Sequence, residues 1–257
     1  MRINVFLIII LLPLAAFAHP VEHTQQLKLP IIGVEVLQIT CEAGSLEVYG
    51  VDGSDHINVT AVIKISGIPA NKLTEFMQRH IRLSLEKGLR KAALESVFKD
   101  QNRMQADAKI DLTVRVPKTL RVQIEDGSGW LDVSDLDADL DIADGSGTIR
   151  IRDIQGRVAV EDGSGKIHID DIRGNLEVKD GSGSIQLERI RGNVRLVDSS
   201  GPMTIKDIDG NLTIRDGSGG IEIMNVTRDV LIKEAGSGTL EIDGVKGKVT
   251  TWGYGNQ

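Results

Sequence analysis

An Asp-Gly-Ser-Gly tetrapeptide recurs through the second half of the chain, and its carboxylates are the side chains whose spacing first suggests chemistry. The tetrapeptide returns every 18 residues, with one copy altered to Asp198-Ser199-Ser200-Gly201 and a late copy, Gly236-Ser237-Gly238, that lacks the acid. Carboxylates in one row about 5 Å apart repel one another unless a cation or a hydrogen-bond donor compensates them. The aspartates of this row are Asp126, Asp144, Asp162, Asp180, Asp198 and Asp216.

Two kinds of compensation would make such a row stable. Each Asp can cap its own turn by accepting hydrogen bonds from the backbone N–H groups that follow it, as in an Asx turn; alternatively, cations bind along the row as a ladder. The calcium-binding β-roll also has 18-residue coils, but it places an Asp ligand where this chain has Ile149, Val158 and Ile167. The pattern therefore favours turn capping, with no metal site and no cofactor. The turn residues of the first four copies are Gly127, Ser128, Gly129, Gly145, Ser146, Gly147, Gly163, Ser164, Gly165, Gly181, Ser182 and Gly183.

The serines of the tetrapeptide form a second row, which raises the question of nucleophilic catalysis. A nucleophile needs one serine with a base beside it, whereas this chain has seven equivalent serines and only His168 within the repeats. Carbohydrate-active β-helix enzymes need a unique acid/base pair, whereas the outward positions here carry mixed charges. We therefore expect no catalytic residues, and such an enzyme is the least favoured alternative. The outward column is Asp132, Arg150, His168, Gln186, Thr204 and Glu222.

The fixed period also determines the elements that hold these rows. Within each unit, aliphatic and polar residues alternate over two short segments, such as 149–151 and 158–160, which is the pattern of a strand with one buried face. The sequence therefore predicts an all-β fold: a parallel β-solenoid, single-stranded and β-roll-like, with two short strands in each 18-residue coil and about seven coils. A third buried row is expected at Ile154, Ile172, Ile190 and Ile208, and an amide ladder at Asn175, Asn193 and Asn211.

The chain before the first tetrapeptide is less regular and predicts degenerate coils of the same solenoid with a helical insertion. Segments 37–49 and 56–64 alternate like strands around a weakened copy of the turn. A proline followed by an apolar stripe predicts a helix over about 69–80. Its continuation to residue 98 competes with a pair of strands, because Gly88 is unfavourable inside a helix. The predicted divisions are 19–125 for this small α/β elaboration, 126–250 for the regular coils and 251–257 for a C-terminal tail or cap.

The N-terminus has the features of a secretory signal peptide, which we place at residues 1–18. Arg2 precedes a short apolar run, and Ala16-Phe17-Ala18 fits a signal-peptidase site. No later apolar run approaches the ~20 residues of a spanning helix. We therefore expect an exported chain in the periplasm, at the cell surface or outside the cell, with no transmembrane segment in its mature form. Cys41, the single cysteine, is expected either to be buried or to pair with another chain.

The order of these elements resembles that of a known family. The strand over 110–117, which ends in Val-Pro, is followed by a second strand and then by the Gly-Ser-Gly-spaced repeats. This succession resembles the bacterial putative-adhesin domains of unknown function. The similarity spans roughly residues 35–250. It implies an exported β-solenoid and supplies no catalytic residues.

Together these features predict a non-enzymatic envelope or surface module that binds, in the manner of an adhesin, another envelope component, either a protein or a glycan. The net charge of −7 argues against nucleic acid as a partner. The alternative from a different class is a structural or stress-related periplasmic scaffold that self-associates through the faces or edges of its solenoid.

Overall fold

The computed structural model describes residues 20–99 and 107–252. The predicted signal peptide and Tyr254 of the predicted tail lie outside the described residues. Within them, the predicted parallel β-solenoid is confirmed: strands account for nearly all regular structure, and they are joined by one α-helix and one 3-10 turn. The strands are β1 (Val21–Pro30), β2 (Val36–Val51), β3 (His56–Ser66), β4 (Ile81–Lys87), β5 (Lys91–Phe98), β6 (Asp107–Pro117), β7 (Arg121–Leu136), β8 (Leu140–Asp144), β9 (Gly147–Ile154), β10 (Val158–Asp162), β11 (Gly165–Ile172), β12 (Leu176–Asp180), β13 (Gly183–Ile190), β14 (Val194–Asp198), β15 (Met203–Ile208), β16 (Leu212–Asp216), β17 (Ile221–Val226), β18 (Val230–Ala235), β19 (Leu240–Val245) and β20 (Val249–Thr251), and the helix is α1 (Leu73–His80).

Each regular coil contains a short strand and a long strand. The five-residue β10 leads through two turn residues into the eight-residue β11. Successive coils stack in parallel, so that Val158 lies beside Leu140 on one side and Leu176 on the other. Because side chains alternate along a strand, the long and short strands of one coil both turn branched aliphatic residues inward, and Ile167 and Ile169 are fully buried. The predicted third row, Ile154, Ile172, Ile190 and Ile208, is fully buried as well.

The N-terminal strands continue this pattern only in part. β2 behaves as a coil, because its two halves pair in parallel with the two halves of β7 and bring Leu37 beside Val122. β3 instead runs antiparallel to both β6 and β1, so the prediction that segment 56–64 forms an early coil is wrong. The chain reverses direction in the short turn between β2 and β3, where Gly53 has a φ of +65°. A strand reversed by a short turn cannot stack in parallel, because a parallel neighbour needs a long crossover connection.

The helical insertion is short. A 3-10 turn over Ala70–Lys72 leads into α1, which ends at His80. The continuation to residue 98 does not form, because β4 and β5 make an antiparallel hairpin around Gly88. β5 also pairs in parallel with the first half of β2. The stack of parallel strands therefore ends, on its N-terminal side, in antiparallel strands and a helix.

The C-terminal side of the described stack is different. β19 and β20 are hydrogen-bonded to the preceding coil only. Leu240 and Ile242 are half-buried, whereas the equivalent Ile221 and Ile223 of the previous coil are buried. Trp252, which the sequence suggested as part of a cap, is 58% exposed. No helix in the described part of the chain is long and apolar enough to cross a membrane.

Candidate functional site

The Asp-Gly-Ser-Gly tetrapeptides form one of the two corners of each coil, which we call the Asp corner. The register places Asp162 beside Asp144 on one side and Asp180 on the other, so the acids form a row with one member per coil, about 4.8 Å apart. Alternation along β10 turns Asp162 to the same side as the two buried valines of that strand. The row therefore points into the core, and its exposed fraction falls from 9% at Asp126 to 1% at Asp216.

One carboxylate oxygen of each regular Asp caps the turn that follows it. The Oδ1 atom of Asp162 accepts a hydrogen bond from the backbone N–H of Ser164 at 3.2 Å. The same bond recurs at Asp180, Asp198 and Asp216, at 3.1–3.2 Å. Each Asp therefore stabilises the turn of its own coil.

The second glycine of the tetrapeptide lets neighbouring Asp corners touch backbone to backbone. Gly165 has a φ of +145°, and a Cβ atom there would lie 1.7 Å from the carbonyl oxygen of Gly147. The first glycine is less constrained: a Cβ atom at Gly163 would lie 2.4 Å from the carbonyl oxygen of Gly145, but its φ is not left-handed, and Ser199 occupies that position in the altered copy. The spacing of the coils at this corner therefore depends on the fourth residue of each tetrapeptide.

In five of the six acids, the other carboxylate oxygen is buried and has no hydrogen-bond partner among the described residues. A buried oxygen without a partner costs roughly 1–3 kcal/mol, and more when the group is charged. The atoms concerned are Oδ1 of Asp144 and Oδ2 of Asp162, Asp180, Asp198 and Asp216.

This environment disfavours the ionised form of every acid in the row. Burial raises the pKa of Asp162 to about 6, and the neighbouring carboxylates of Asp144 and Asp180 add to the rise. Burial likewise raises the pKa of Asp126 and of Asp198 to about 6. The pKa values of Asp144, Asp180 and Asp216 are raised by burial as well.

The row continues into the N-terminal strands, which the sequence analysis missed. Cys41 lies beside Asp126, and its thiol donates to Oδ1 of Asp126 at 3.3 Å. Ser96 lies on the other side of Cys41. Burial raises the pKa of the Cys41 thiol far above its usual range, so the thiol remains protonated. Gly44 is the signal that could have revealed this, because it follows Cys41 by three residues, as the second glycine follows each Asp of the row. Its φ of +131° matches that of those glycines.

The Ser row contributes backbone donors to the Asp corner. Its N–H groups cap the acids, and the hydroxyl of Ser128 donates to the carbonyl oxygen of Glu42 at 3.1 Å. His168 lies on the outward face of β11, in the column of Arg150 and Gln186. In the described ranges, no group of three or more His, Cys, Asp or Glu side chains is arranged to hold a metal ion.

We call the second corner of each coil the Asn corner. Its side chains cap backbone N–H groups of the next coil. The Oδ1 atom of Asn175 accepts from the N–H of Asn193 at 2.9 Å, and that of Asn193 accepts from the N–H of Asn211 at 3.0 Å. The predicted amide ladder is therefore present. Asp139 and Asp229 extend it, because each accepts a backbone N–H of the following coil, at 2.9 and 2.8 Å.

The outward face of the long strands carries the mixed charges expected there, in register from coil to coil. Arg152 donates to Asp132 at 3.0 Å. Trp130 is partly exposed nearby. Tyr49, on the neighbouring strand, lies under the guanidinium of Arg115, which is 5.4 Å from the ring centre. We call the surface formed by these five residues the Trp130 face.

The outward face of the short strands is a shallow surface without aromatic rings. A depression of about 550 Å³ crosses it, with Ala143 and Ala159 among its lining residues. Asp141 lies at its side and is paired with Arg121 at 2.6 Å and with Arg157 at 2.5 Å. The acid is therefore neutralised within the sheet.

The repeat, the corners and the strand order can be compared with known families. A family model described as Toastrack DUF4097 matches residues 52–243. The chain belongs to this toastrack family. The match covers most of the chain and confirms the resemblance inferred from its repeats, and the description of the toastrack family specifies no enzymatic reaction. A search of curated proteins gives no match.

Several solved structures are similar to this toastrack protein at low identity. A "putative cell adhesion protein" from Clostridium sporogenes is 13% identical, with 89% of this chain and 100% of that chain covered and a TM-score of 0.36. A "putative adhesin" from Bacteroides fragilis is 14% identical, with 88% and 96% covered and a TM-score of 0.42. A "putative lipid binding protein" from Parabacteroides distasonis is 13% identical, with 89% and 95% covered and a TM-score of 0.46.

Proposed function

We propose that the protein is an exported, non-enzymatic binding module of the adhesin type, which contacts another envelope component through the Trp130 face. The observation that carries this proposal is that Trp130, Tyr49 and Arg115 share one outward face of paired strands, with Tyr49 beside Arg115 and Trp130 four residues along the strand direction. Trp, Tyr and Arg are the residue types that most often dominate binding energies at protein interfaces. Trp130 is also the only aromatic residue in the sequence from residue 126 to 250, so the rest of the long solenoid face lacks such an anchor.

The scaffold beneath this face favours binding without rearrangement. Tyr49 and Trp130 lie on β2 and β7, which pair in parallel over most of their length. Side chains on a paired sheet lose less conformational freedom on binding than side chains on a loop. The net charge of −7 favours a neutral or basic partner over an acidic one. Envelope glycans and proteins both include such surfaces.

A glycan array probed with the exported form of the chain tests this proposal. We expect binding to a subset of neutral or basic envelope glycans, and we expect Trp130→Ala to weaken it by about tenfold or more. Val197→Ala is the matched control, because it shortens an apolar side chain on the opposite, short-strand face. Equal binding by the wild type and Trp130→Ala would exclude the Trp130 face. Absence of binding to every glycan would exclude a glycan partner.

A second candidate function is a scaffold that assembles through its sheet edges. It is favoured by the half-buried Leu240 and Ile242 on β19, a strand whose described hydrogen bonds all go to the preceding coil. Unpaired edges are templates for association. Sedimentation velocity should then show oligomers that Ile242→Lys disperses. A wild-type chain that stays monomeric at high concentration would contradict this candidate.

A further inference from the structure

Turn capping does not explain why the Asp corner uses an acid. At the Asn corner, acids and amides occupy the same position, as Asp139, Asn193 and Asp229 show. All six regular Asp corners carry Asp. An Asn would cap through the same Oδ1 atom, and its N–H groups would satisfy the neighbouring oxygens. What an Asp offers in addition is the capacity to bind and release a proton.

The groups around the row do not neutralise it. Cys41 of β2 and Ser96 of β5 stand at its N-terminal end, and Ala235 of β18 stands at the other. The inward side chains of the long strands are aliphatic. Glu161 and Lys179, which precede two acids of the row, turn outward and pair with each other at 2.5 Å. Within the described residues, the charges that act on each acid are therefore those of its neighbours in the row.

Solvent reaches the outside of the Asp corner, although the carboxyl groups beneath it are nearly buried. A groove of about 500 Å³ runs over the Asp corners of successive coils. Asp144, Asp162 and Asp180 contribute to its lining, together with Gly163 and Gly181. The second carboxyl oxygens are buried beneath the turn residues, so protons exchange with water when the turn opens transiently.

We propose that the Asp row is a proton-binding column, in which neighbouring carboxyl groups share protons along the solenoid axis. When one carboxyl group binds a proton, its unpartnered oxygen becomes a donor. Equivalent atoms of successive coils lie about 4.8 Å apart, so one of the two side chains must rotate to bring the oxygens within hydrogen-bond distance. The protonated acid can then donate to an oxygen of the next Asp, and one proton satisfies two buried atoms. The same proton removes the repulsion between adjacent charges. Protonation of every second acid is therefore enough to give each buried oxygen of the row a hydrogen-bond partner.

The pKa shifts agree with this geometry. Burial raises the pKa of all six acids, to about 6 at Asp126, Asp162 and Asp198. An Asp in an unfolded chain has a pKa of about 4. The folded chain therefore binds protons more tightly than the unfolded chain between about pH 4 and pH 6. This contribution to the free energy of unfolding is fully present below about pH 4 and is lost as the pH rises through about 6.

Thermal unfolding of the full chain from about pH 4.5 to about pH 8 tests the proposal. We expect the melting temperature of the wild type to fall by about 5 °C or more over this range. The double variant Asp162→Asn/Asp198→Asn keeps both caps and supplies permanent donors in place of protons. It should melt higher than the wild type at pH 8 and show a shallower pH dependence. The matched control, Asp139→Asn/Asp229→Asn, removes two acids at the Asn corner and should keep the wild-type slope.

Three results would overturn the proposal. The first is a wild-type melting temperature that is constant or rises across this pH range. The second is a double variant that melts lower than the wild type at pH 8, because the ionised acids would then be the stabilising form. The third is a rise in melting temperature on adding calcium that the double variant abolishes, which would assign the row to a metal cation.

Discussion

Both corners of each coil use a side-chain oxygen to cap a backbone N–H group, but they do so in opposite environments. At the Asp corner, Asp180 caps Ser182 of its own turn at 3.2 Å and is 5% exposed. At the Asn corner, Asn193 caps Asn211 of the next coil at 3.0 Å and is exposed to solvent. A cap within one turn fixes the shape of a coil, whereas a cap between coils fixes their stacking.

The difference shows how burial, rather than capping, determines which residue types a corner accepts. At the Asn corner, Asp229 and Asn193 are interchangeable because water solvates the free oxygen or the free amide. At the Asp corner, the second oxygen has no such solvent and must find a partner in the row. The backbone differs as well, since Gly183 at the Asp corner has a φ of +144°. We therefore expect substitutions at the two corners to differ in both size and pH dependence.

The largest expected effect is at the Asp corner, in Gly183→Ala. A Cβ atom there would lie 1.7 Å from the carbonyl oxygen of Gly165, at a φ that other residues rarely adopt. Because the two coils would have to separate, we expect a loss of about 4 kcal/mol in the free energy of unfolding. Urea denaturation followed by circular dichroism measures it.

Gly181→Ser is the matched control for that variant. A Cβ atom at Gly181 would lie 2.4 Å from the carbonyl oxygen of Gly163, but its φ is not left-handed and Ser199 occupies the equivalent position in the altered copy. We therefore expect a smaller loss, about 1–2 kcal/mol. If Gly181→Ser cost as much as Gly183→Ala, the two glycines of the Asp corner would be equally constrained, contrary to this account.

An intermediate effect is expected at the Asn corner, in Asn193→Ala. The change removes the acceptor for the backbone N–H and the side-chain amide of Asn211, at 3.0 and 3.1 Å. Because water can replace these bonds, we expect a loss of about 1 kcal/mol in the free energy of unfolding, with no dependence on pH between about pH 5 and pH 8. A loss as large as that of Gly183→Ala would remove the distinction between the corners.

The smallest effect is expected for Asn193→Asp. The carboxylate keeps the acceptor for Asn211, and Asp229, two coils further on, already plays that part. We expect a change within about 0.5 kcal/mol in the same denaturation assay. A cost close to that of Asn193→Ala would show that the amide donor, rather than the acceptor, holds the Asn corner together.

The regular coils were predictable because one period specified both the strands and their stacking. The inward direction of the acids was also encoded, since Asp162 follows the buried Val158 and Val160 at the same two-residue spacing. The direction of each strand was not encoded in the alternation. Alternation identifies β3 as a strand, but it does not show whether that strand stacks in parallel as part of a coil or pairs antiparallel with its neighbours. That distinction depended on the turn at Gly53.

The candidate surfaces were predictable to a smaller extent. The sequence predicted the outward column that begins at Asp132, but the placement of Trp130, Tyr49 and Arg115 on one face depends on the pairing of β2 with both β6 and β7. Those pairs join residues far apart in sequence, and no repeat connects them. The column of residues with a left-handed backbone conformation was also not predicted. It includes Arg189 (φ +56°) as well as Asp153 (φ +55°), and an arginine gives no sequence signal for positive φ.

The most direct test of the account is a pH titration of the side-chain carboxyl carbons by NMR in the full chain. It reports the protonation of each acid separately, whereas melting curves report the sum. We predict titration midpoints at about pH 6 for Asp162 and Asp198. We also predict that the chemical shifts of their neighbours in the row change over the same pH range, and that calcium does not alter the titration. Midpoints at about 4 or below would show that these carboxylates are ionised in the core and would contradict the proton-binding column.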